Sequence, residues 1–145
     1  MMKTVGQILQ GKGHEIWSVT KKMPVFDALK KMAEKNIGAL LVLEGDKLVG
    51  IMSERDYARK VILKGKSSKD TSVEDIMSNK VFYVRLDQSV EDCMALMTEK
   101  RVRHLPVLEN DQLVGVISIG DVVKAVISEQ EIMIEHLKHY IMGIP

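Results

Sequence analysis

The middle of this chain contains the same sequence pattern twice. Residues 25–57 align with residues 90–122 without a gap, at an offset of 65, and 15 of the 33 aligned positions are identical. Chance would give about two identities at ordinary residue frequencies. A repeat of this length is one supersecondary unit used twice. We therefore expect two copies packed about a pseudo-twofold axis, with two related clefts between them, an arrangement that favours binding over chemistry.

Hydrophobic periodicity and turn signals predict the same order of elements in both copies. Each copy reads as β-α-β-β-α preceded by a short helix, so the predicted fold class is α/β. Pro24 opens the first long helix, Asn36 ends it, and Gly45 with Asp46 forms a hairpin turn. The predicted helices cover residues 4–10, 24–35, 54–63, 73–77, 89–99 and the stretch from 119 onward, and the predicted strands cover 16–19, 38–43, 48–52, 81–84, 102–108 and 113–117.

A polar stretch divides the chain into its predicted domains. Residues 65–72 contain few apolar side chains and form the linker between repeat 1, over 1–64, and repeat 2, over 73–127. Residues 128–145 extend the last helix beyond the repeat. The apolar stripe of this C-terminal extension consists of Ile132, Ile134, Leu137, Tyr140 and Ile141. Its partner is either the rest of this chain or a second chain.

Composition narrows the class of protein. Hydrophobic residues make up 46% and charged residues 28%, which is ordinary for a soluble globular protein, and the formal net charge is +1. A net charge this close to zero does not indicate nucleic acid or an anionic membrane as a binding partner. The N-terminus has no signal-peptide pattern, no apolar run reaches the ~20 residues of a membrane span, and the cytosol is expected. The single cysteine, Cys93, is predicted to be a small buried core residue.

The two junctions between the hairpin and the following helix share the pattern Gly-apolar-apolar-Ser-x-x-Asp. They begin at Gly50 and Gly115 and end at Asp56 and Asp121. Together with the stretch 103–107 (RHLPV), these junctions resemble those of the CBS-domain pair, named for cystathionine β-synthase. Residues 54–60 (ERDYARK) and the tail 136–142 are similar to free-standing bacterial CBS-pair proteins.

That resemblance implies an adenine nucleotide, such as AMP, ATP or NAD, as a regulatory ligand in the clefts. By resemblance, Asp56 and Asp121 hold the ribose, while Ser53 and Ser118 meet ribose or phosphate. Thr20, at the end of the first short strand, is similar to the family residue that faces the same nucleotide. A carboxylate can accept both hydroxyls of a ribose, and a serine at a helix start leaves backbone N–H groups that favour phosphate.

A purely structural interpretation competes with this one. Ser-x-x-Asp is also a helix-capping pattern, and capping alone would explain a single occurrence. Two occurrences inside a repeat that resembles the CBS pair favour binding.

The copies differ beside the junctions. Gly38 and Ala39 leave room for a base in copy one, and Arg103 and His104 stand at the same positions in copy two. Arg101, Arg103, His104 and Arg55 bring positive charge toward a cleft, and this pattern predicts phosphate binding biased toward the Ser53 junction. The alternative is surface salt bridging with Glu99 or Glu109.

The resemblance to the CBS pair implies a regulatory module that binds an adenine nucleotide, works as a homodimer and signals through an unknown effector protein. The sequence shows no nucleophile–base pair, Walker loop or zinc motif, so we expect no catalytic residues, no catalytic cofactor and no metal. The alternatives are an interaction protein with degenerate clefts and, less favoured, an enzyme acting on a nucleotide.

Overall fold

Residues 3–142 of the computed structural model are described below. They contain two compact units of mixed helix and strand. The Ser53 unit comprises Glu15–Phe82 and Asn110–Leu113, and the Ser118 unit comprises the described residues up to His14, Tyr83–Glu109 and the described residues from Val114 onward. Residues 1–2 and 143–145, at the outer ends of repeat 1 and of the C-terminal extension, lie outside the described residues.

The Ser53 unit contains a three-stranded sheet flanked by helices. β1 (Ser18–Val19) runs parallel to β2 (Ala39–Glu44), which pairs antiparallel with β3 (Lys47–Ser53). The helices are α2 (Val25–Lys35), α3 (Glu54–Tyr57) and α4 (Val73–Ile76). The core contains Val19, Val25, Ala28, Met32, Leu40, Val42, Met52, Val61, Val73 and Ile76.

The Ser118 unit follows the same plan with a smaller sheet. α1 (Val5–Lys12) and α5 (Val90–Lys100) precede the hairpin of β4 (His104–Glu109) and β5 (Gln112–Ser118), and α6 (Ile119–Met142) follows it. The first two residues of β5 belong to the Ser53 unit. Ser89 caps α5 in a capping box with Asp92, as the sequence predicts. Cys93 is buried on α5, also as predicted, and burial raises the pKa of its thiol to about 11.

The short helix of each repeat belongs to the unit built mainly from the other repeat. In the Ser118 unit, the Val5 N–H donates to the Gln88 carbonyl at 2.8 Å. In the Ser53 unit, the Val73 N–H donates to the Met23 carbonyl, also at 2.8 Å. The repeats along the sequence and the compact units in space therefore have different bounds.

The predicted strand over 81–84 is wrong. Val84 forms only an isolated parallel bridge with Val107, whereas the corresponding segment of the Ser53 unit forms β1. In that unit the Leu41 N–H donates to the Trp17 carbonyl, but Pro106 stands at the position of Leu41 and has no N–H. The ladder cannot extend past that proline.

The helix predicted over 54–63 has a different form. It begins as α3 and continues as a π-helical turn over Ala58–Ile62, in which the Leu63 N–H reaches the Ala58 carbonyl at 3.0 Å. The other elements match the predicted order with shifts of at most two residues at their ends, β1 being the most shortened. The last helix is continuous from Ile119 to Met142 and includes the predicted extension as far as it is described.

Candidate functional site

The first strand-to-helix junction is built around a reciprocal cap. Ser53 ends β3 in an extended conformation, so its side chain faces the open first turn of α3. The Asp56 N–H donates to Ser53 Oγ at 3.1 Å, and the Ser53 N–H donates to Asp56 Oδ2 at 2.9 Å. The Ser53 hydroxyl also donates to Asp56 Oδ2, at 3.1 Å. These bonds fix the serine hydroxyl and the carboxylate side by side.

Gly38 and Ala39 lie beside this cap. The Glu54 N–H donates to the Gly38 carbonyl at 3.0 Å, and Ala39 pairs with Ser53 across the β2–β3 ladder. A Cβ added to Gly38 would meet only Glu54 Oε1, at 3.4 Å, which is an ordinary contact distance. Packing therefore does not require glycine at position 38, and the backbone there is open to a close approach.

The charges around Asp56 are balanced. Lys60 Nζ lies 3.4 Å from Asp56 Oδ1, one helical turn away, and also donates to the Ile76 carbonyl at 2.8 Å. Arg55 is exposed on α3, and so is Glu54. Two cations and two carboxylates thus lie at or beside this junction.

The second junction repeats the geometry in the Ser118 unit. The Ser118 N–H donates to Asp121 Oδ2 at 2.8 Å, and the Asp121 N–H donates to Ser118 Oγ at 3.2 Å. The Ile119 N–H donates to the Arg103 carbonyl at 2.9 Å, as the Glu54 N–H does to Gly38. The same backbone frame therefore carries the serine, the aspartate and the neighbouring carbonyl in both units.

Asp121 and Asp56 form ion pairs with different lysines. Lys12 Nζ, at the end of α1, lies 2.6 Å from Asp121 Oδ2. Burial by itself would raise the pKa of the Asp121 carboxyl, but the hydrogen bonds from Lys12 and from the Ser118 N–H outweigh burial and hold that pKa below its ordinary value. Asp121 is therefore a partly buried, firmly ionised carboxylate.

The remaining predicted residues of copy two lie in the Ser118 unit. Arg101 ends α5 in the left-handed conformation (φ 55°) and is exposed, as is Arg103. His104 begins β4 and is half-buried. Burial, followed by the positive charge of Lys12, lowers the pKa of His104, while Asp121 opposes the shift. The structure thus places Arg101 and Arg103 with Ser118, and Arg55 with Ser53.

Thr20 does not lie beside Ser53 within its unit. It is exposed directly after β1, whose Val19 is level with Val42 of β2. Ser53 pairs with Ala39 at the other end of β2, three residues away, or about 10 Å along the strand. Within the Ser53 unit, Thr20 and Ser53 therefore lie too far apart to contact the same small group of a ligand, such as a single hydroxyl.

Two lysines at these junctions are missing from the sequence prediction. Lys60 follows Asp56 at the i,i+4 spacing typical of helical ion pairs, and that signal was available in the sequence. Lys12 is 109 residues from Asp121, and no sequence pattern connects them.

Each unit also has a groove between its long helix and the helix that follows the hairpin, and the groove of the Ser118 unit is the more apolar of the two. The groove of the Ser53 unit measures about 660 Å³ and is lined by Leu29, Met32, Ala33, Asn36, Ile37, Gly38, Glu54, Tyr57 and Ala58. That of the Ser118 unit measures about 250 Å³ and is lined by Met94, Met97, Thr98, Ile119, Val122, Val123, Val126 and Ile127. The grooves occupy corresponding places in the two units.

Residues 3–142 contain neither a cluster of metal ligands nor a helix that could span a membrane. No three His, Cys, Asp or Glu side chains in this range gather as metal ligands would. None of the helices in the same range has the length and apolar character needed to cross a bilayer.

Similarity to known proteins identifies the family of this chain. The CBS domain matches residues 7–62 and 73–128, and the chain belongs to the CBS-domain family as a tandem pair. CBS pairs are in general regulatory, ligand-binding modules, and free-standing ones are in general not catalytic.

Several relatives share most of the chain. The chain is 41% identical over 150 residues to the mitochondrial CBS domain-containing protein CBSX3 of Arabidopsis thaliana, covering 97% of this chain and 72% of that protein. A candidate signal-transduction protein with CBS domains from Burkholderia ambifaria MC40-6 is 59% identical, with a TM-score of 0.85 over 88% of this chain and 96% of that one. The hexameric CBS-CP12 protein of bloom-forming cyanobacteria is 29% identical, with a TM-score of 0.73 over 85% of this chain and 71% of that one.

Proposed function

We propose that this CBS pair binds an adenine nucleotide at its Ser-x-x-Asp junctions and that a partner protein responds to the bound state. The observation that carries the proposal is the repeated junction itself. In both units a serine hydroxyl, an ionisable carboxylate and a neighbouring backbone carbonyl are held in one frame at the end of a hairpin strand. In a CBS pair, this frame is where a nucleotide is expected.

Capping does not by itself account for the frame. Ser89 and Asp92 form the same reciprocal cap on α5, with both hydrogen bonds at 3.1 Å. This cap does not follow a hairpin strand, so a helix can be capped in this way without the other features of the two junctions. At Ser53 and Ser118 the cap adjoins open backbone at Gly38 or the exposed Arg103. These added features are what a ligand would use.

The proposed contacts follow from the chemistry of each group. The 2′- and 3′-hydroxyls of a ribose donate to the carboxylate of Asp56 or Asp121, and charge-assisted hydrogen bonds of this kind are short and strong. Arg55 lies on α3 between Ser53 and Asp56, and the Arg103 carbonyl accepts the Ile119 N–H beside Ser118, so each junction has an exposed arginine beside it that pairs with phosphate. Gly38 and Ala39 admit the base in the Ser53 unit. Arg101, His104 and Thr20 remain proposed contributors.

Signalling would follow from a population shift. A nucleotide that binds one arrangement of the chain better than another shifts the equilibrium by that difference in affinity, and an effector protein would respond to the shift. We infer no chemical step on the nucleotide, and we expect the module to act in the cytosol.

We also propose a homodimer, in which the second copy covers the exposed face of α6. All five residues of the stripe on the C-terminal extension are half-exposed or more, from 50% for Ile134 to 87% for Tyr140, so the described chain does not cover them. Exposed apolar residues recur from the groove of the Ser118 unit along α6, at Val123, Ile127, Ile134, Leu137 and Ile141. Their spacing of four, seven, three and four residues fits the heptad seam that pairs helices, with Gln130 at the polar position.

The proposed binding is tested by native mass spectrometry of the purified protein, followed by titration with AMP, ADP, ATP and NAD. A retained or added nucleotide of defined mass supports the binding module. Product analysis of the same mixtures tests the enzyme alternative, since a binding module returns the nucleotide unchanged. A protein that takes up none of the four would instead support degenerate clefts.

A further inference from the structure

The end of α1 and the residues that follow it lie along β5, and the last residue of α1 reaches Asp121. Lys12 Nζ donates to the Val116 carbonyl at 2.9 Å as well as to Asp121 Oδ2 at 2.6 Å. Two residues later, His14 Nδ1 lies 2.8 Å from the Val114 carbonyl. The lysine is thus held at two points, a strand carbonyl and the predicted ribose-binding carboxylate.

The Ser53 unit satisfies the corresponding carbonyl in another way. Ile51 stands at the position of Val116, and its carbonyl accepts the backbone N–H of Ser78 at 2.9 Å. A backbone amide in one unit is therefore replaced by a lysine ammonium in the other. α1 has eight residues and ends in Lys12, whereas α4 has four, so only α1 brings a lysine to this carbonyl.

The two aspartates are alike in exposure but unlike in pairing. Their side chains are 18% exposed for Asp56 and 17% for Asp121. Lys60 approaches Asp56 only to 3.4 Å and is 45% exposed, while Lys12 lies at 2.6 Å and is 35% exposed. The ion pair at Asp121 is the tighter and the less hydrated of the two.

A ligand at Asp121 must therefore compete with an ammonium group. Ribose hydroxyls are neutral, so a nucleoside that takes the carboxylate leaves Lys12 with no anion in exchange. A phosphorylated nucleoside offers that ammonium a new anion, and Arg103 adds a second positive charge beside the junction.

We propose that Lys12 makes the Ser118 junction selective for phosphorylated nucleosides over bare nucleosides, so that the two junctions of the pair have unequal ligand preferences. The inference rests on the proposed nucleotide binding. It reverses the bias toward the Ser53 junction that Gly38 and the arginines predict from the sequence. Lys12 acts here as a specificity residue.

The test is calorimetric titration of the full chain with adenosine and with AMP in an Asp56→Asn background, which leaves the Ser118 junction as the remaining site. The amide oxygen that this substitution introduces can still accept the Ser53 N–H, so the cap is kept. Adding Lys12→Met should lower the AMP-to-adenosine affinity ratio about tenfold, the equivalent of one lost charge-assisted contact. Lys124→Met removes the same charge from an exposed position of α6, three residues beyond Asp121, and should leave the ratio unchanged.

Two further measurements keep the test decisive. Lys12→Arg retains the charge and should retain the preference for AMP, even if Lys12→Met folds poorly. In the reciprocal Asp121→Asn background the Ser53 junction is the remaining site. The ratio of AMP affinity to adenosine affinity should be smaller there than in the Asp56→Asn background. An unchanged ratio in Lys12→Met, or equal ratios in the two backgrounds, would overturn the role of Lys12 while leaving nucleotide binding intact. A parent protein that binds neither AMP nor any other adenine nucleotide would overturn the proposed function and this inference together.

Discussion

Ser53 and Asp56 cap each other: the N–H of each residue donates to the side chain of the other, at 2.9 Å to Asp56 Oδ2 and at 3.1 Å to Ser53 Oγ. The pair stabilises the start of α3, and the same pair carries the proposed ribose contact. Structural and functional roles therefore coincide in two residues, and mutation must separate them.

Asp56→Ala should reduce nucleotide affinity more than it reduces stability. The lost contacts are charge-assisted hydrogen bonds worth about 1.5–3 kcal/mol each, which predicts at least a tenfold loss of affinity at the Ser53 junction. Loss of the cap should cost about 1 kcal/mol of unfolding free energy. Calorimetric titration and chemical denaturation measure the two effects.

The matched control is Asp92→Ala, which removes the same kind of cap from α5. It should lose similar stability and bind nucleotide normally. If Asp56→Ala behaves as Asp92→Ala does, capping is the whole role of Asp56.

Arg55→Ala and Arg103→Ala should weaken nucleotide binding much more than adenosine binding, because a bare nucleoside offers the guanidinium no phosphate. Added salt should weaken nucleotide binding by the parent protein and leave adenosine binding nearly unchanged. Arg59→Ala, at an exposed position of the π-helical turn, is the control for a general loss of charge. Equal losses for nucleotide and nucleoside would place Arg55 and Arg103 outside the site.

The glycines at the junctions should respond differently to alanine. A Cβ at Gly50 would lie 2.6 Å from Met77 Sδ and 3.0 Å from the Ser78 carbonyl oxygen, so Gly50→Ala should destabilise the fold by about 1–3 kcal/mol. Gly38→Ala makes no such clash and should leave stability nearly unchanged while weakening nucleotide binding. Thermal melting with and without nucleotide distinguishes the two variants, and a stable Gly50→Ala protein would contradict the close packing described here.

Ile134→Glu and Leu137→Glu should weaken the proposed dimer. Each places a charge in the α6 seam, and burying a large aliphatic side chain contributes about 1.5–3 kcal/mol. Sedimentation at several protein concentrations measures the association, with Glu135→Ala on the polar side of α6 as the control. A parent protein that stays monomeric at tens of micromolar, about the range in which a modest interface is occupied, would remove the basis for the seam.

The repeat made most of the fold predictable. Local signals such as Pro24 before α2 and the capping box at Ser89 placed the helices within a few residues. The missing strand at Val84 depends on Pro106, whose consequence appears only when the two segments are paired. The π-helical turn after Tyr57 has no recognised signal in the sequence.

The candidate site was predictable in its repeated part and not in its differences. Ser53, Asp56 and their partners in copy two follow from the junction pattern, and the structure confirms that each pair lies together. The partnership of Lys12 with Asp121 depends on α1 packing in the Ser118 unit, a long-range contact that local periodicity does not encode.

The central claim is tested most directly by thermal melting of the parent protein with AMP, ADP, ATP and NAD. A ligand present at a hundred times its dissociation constant stabilises the folded state by about 2.7 kcal/mol. For a chain of this size each kcal/mol moves the melting temperature by roughly 2–4 °C. At least one of the four should therefore raise the melting temperature by about 5–10 °C. No shift with any of the four at millimolar concentration would contradict nucleotide binding at the Ser-x-x-Asp junctions.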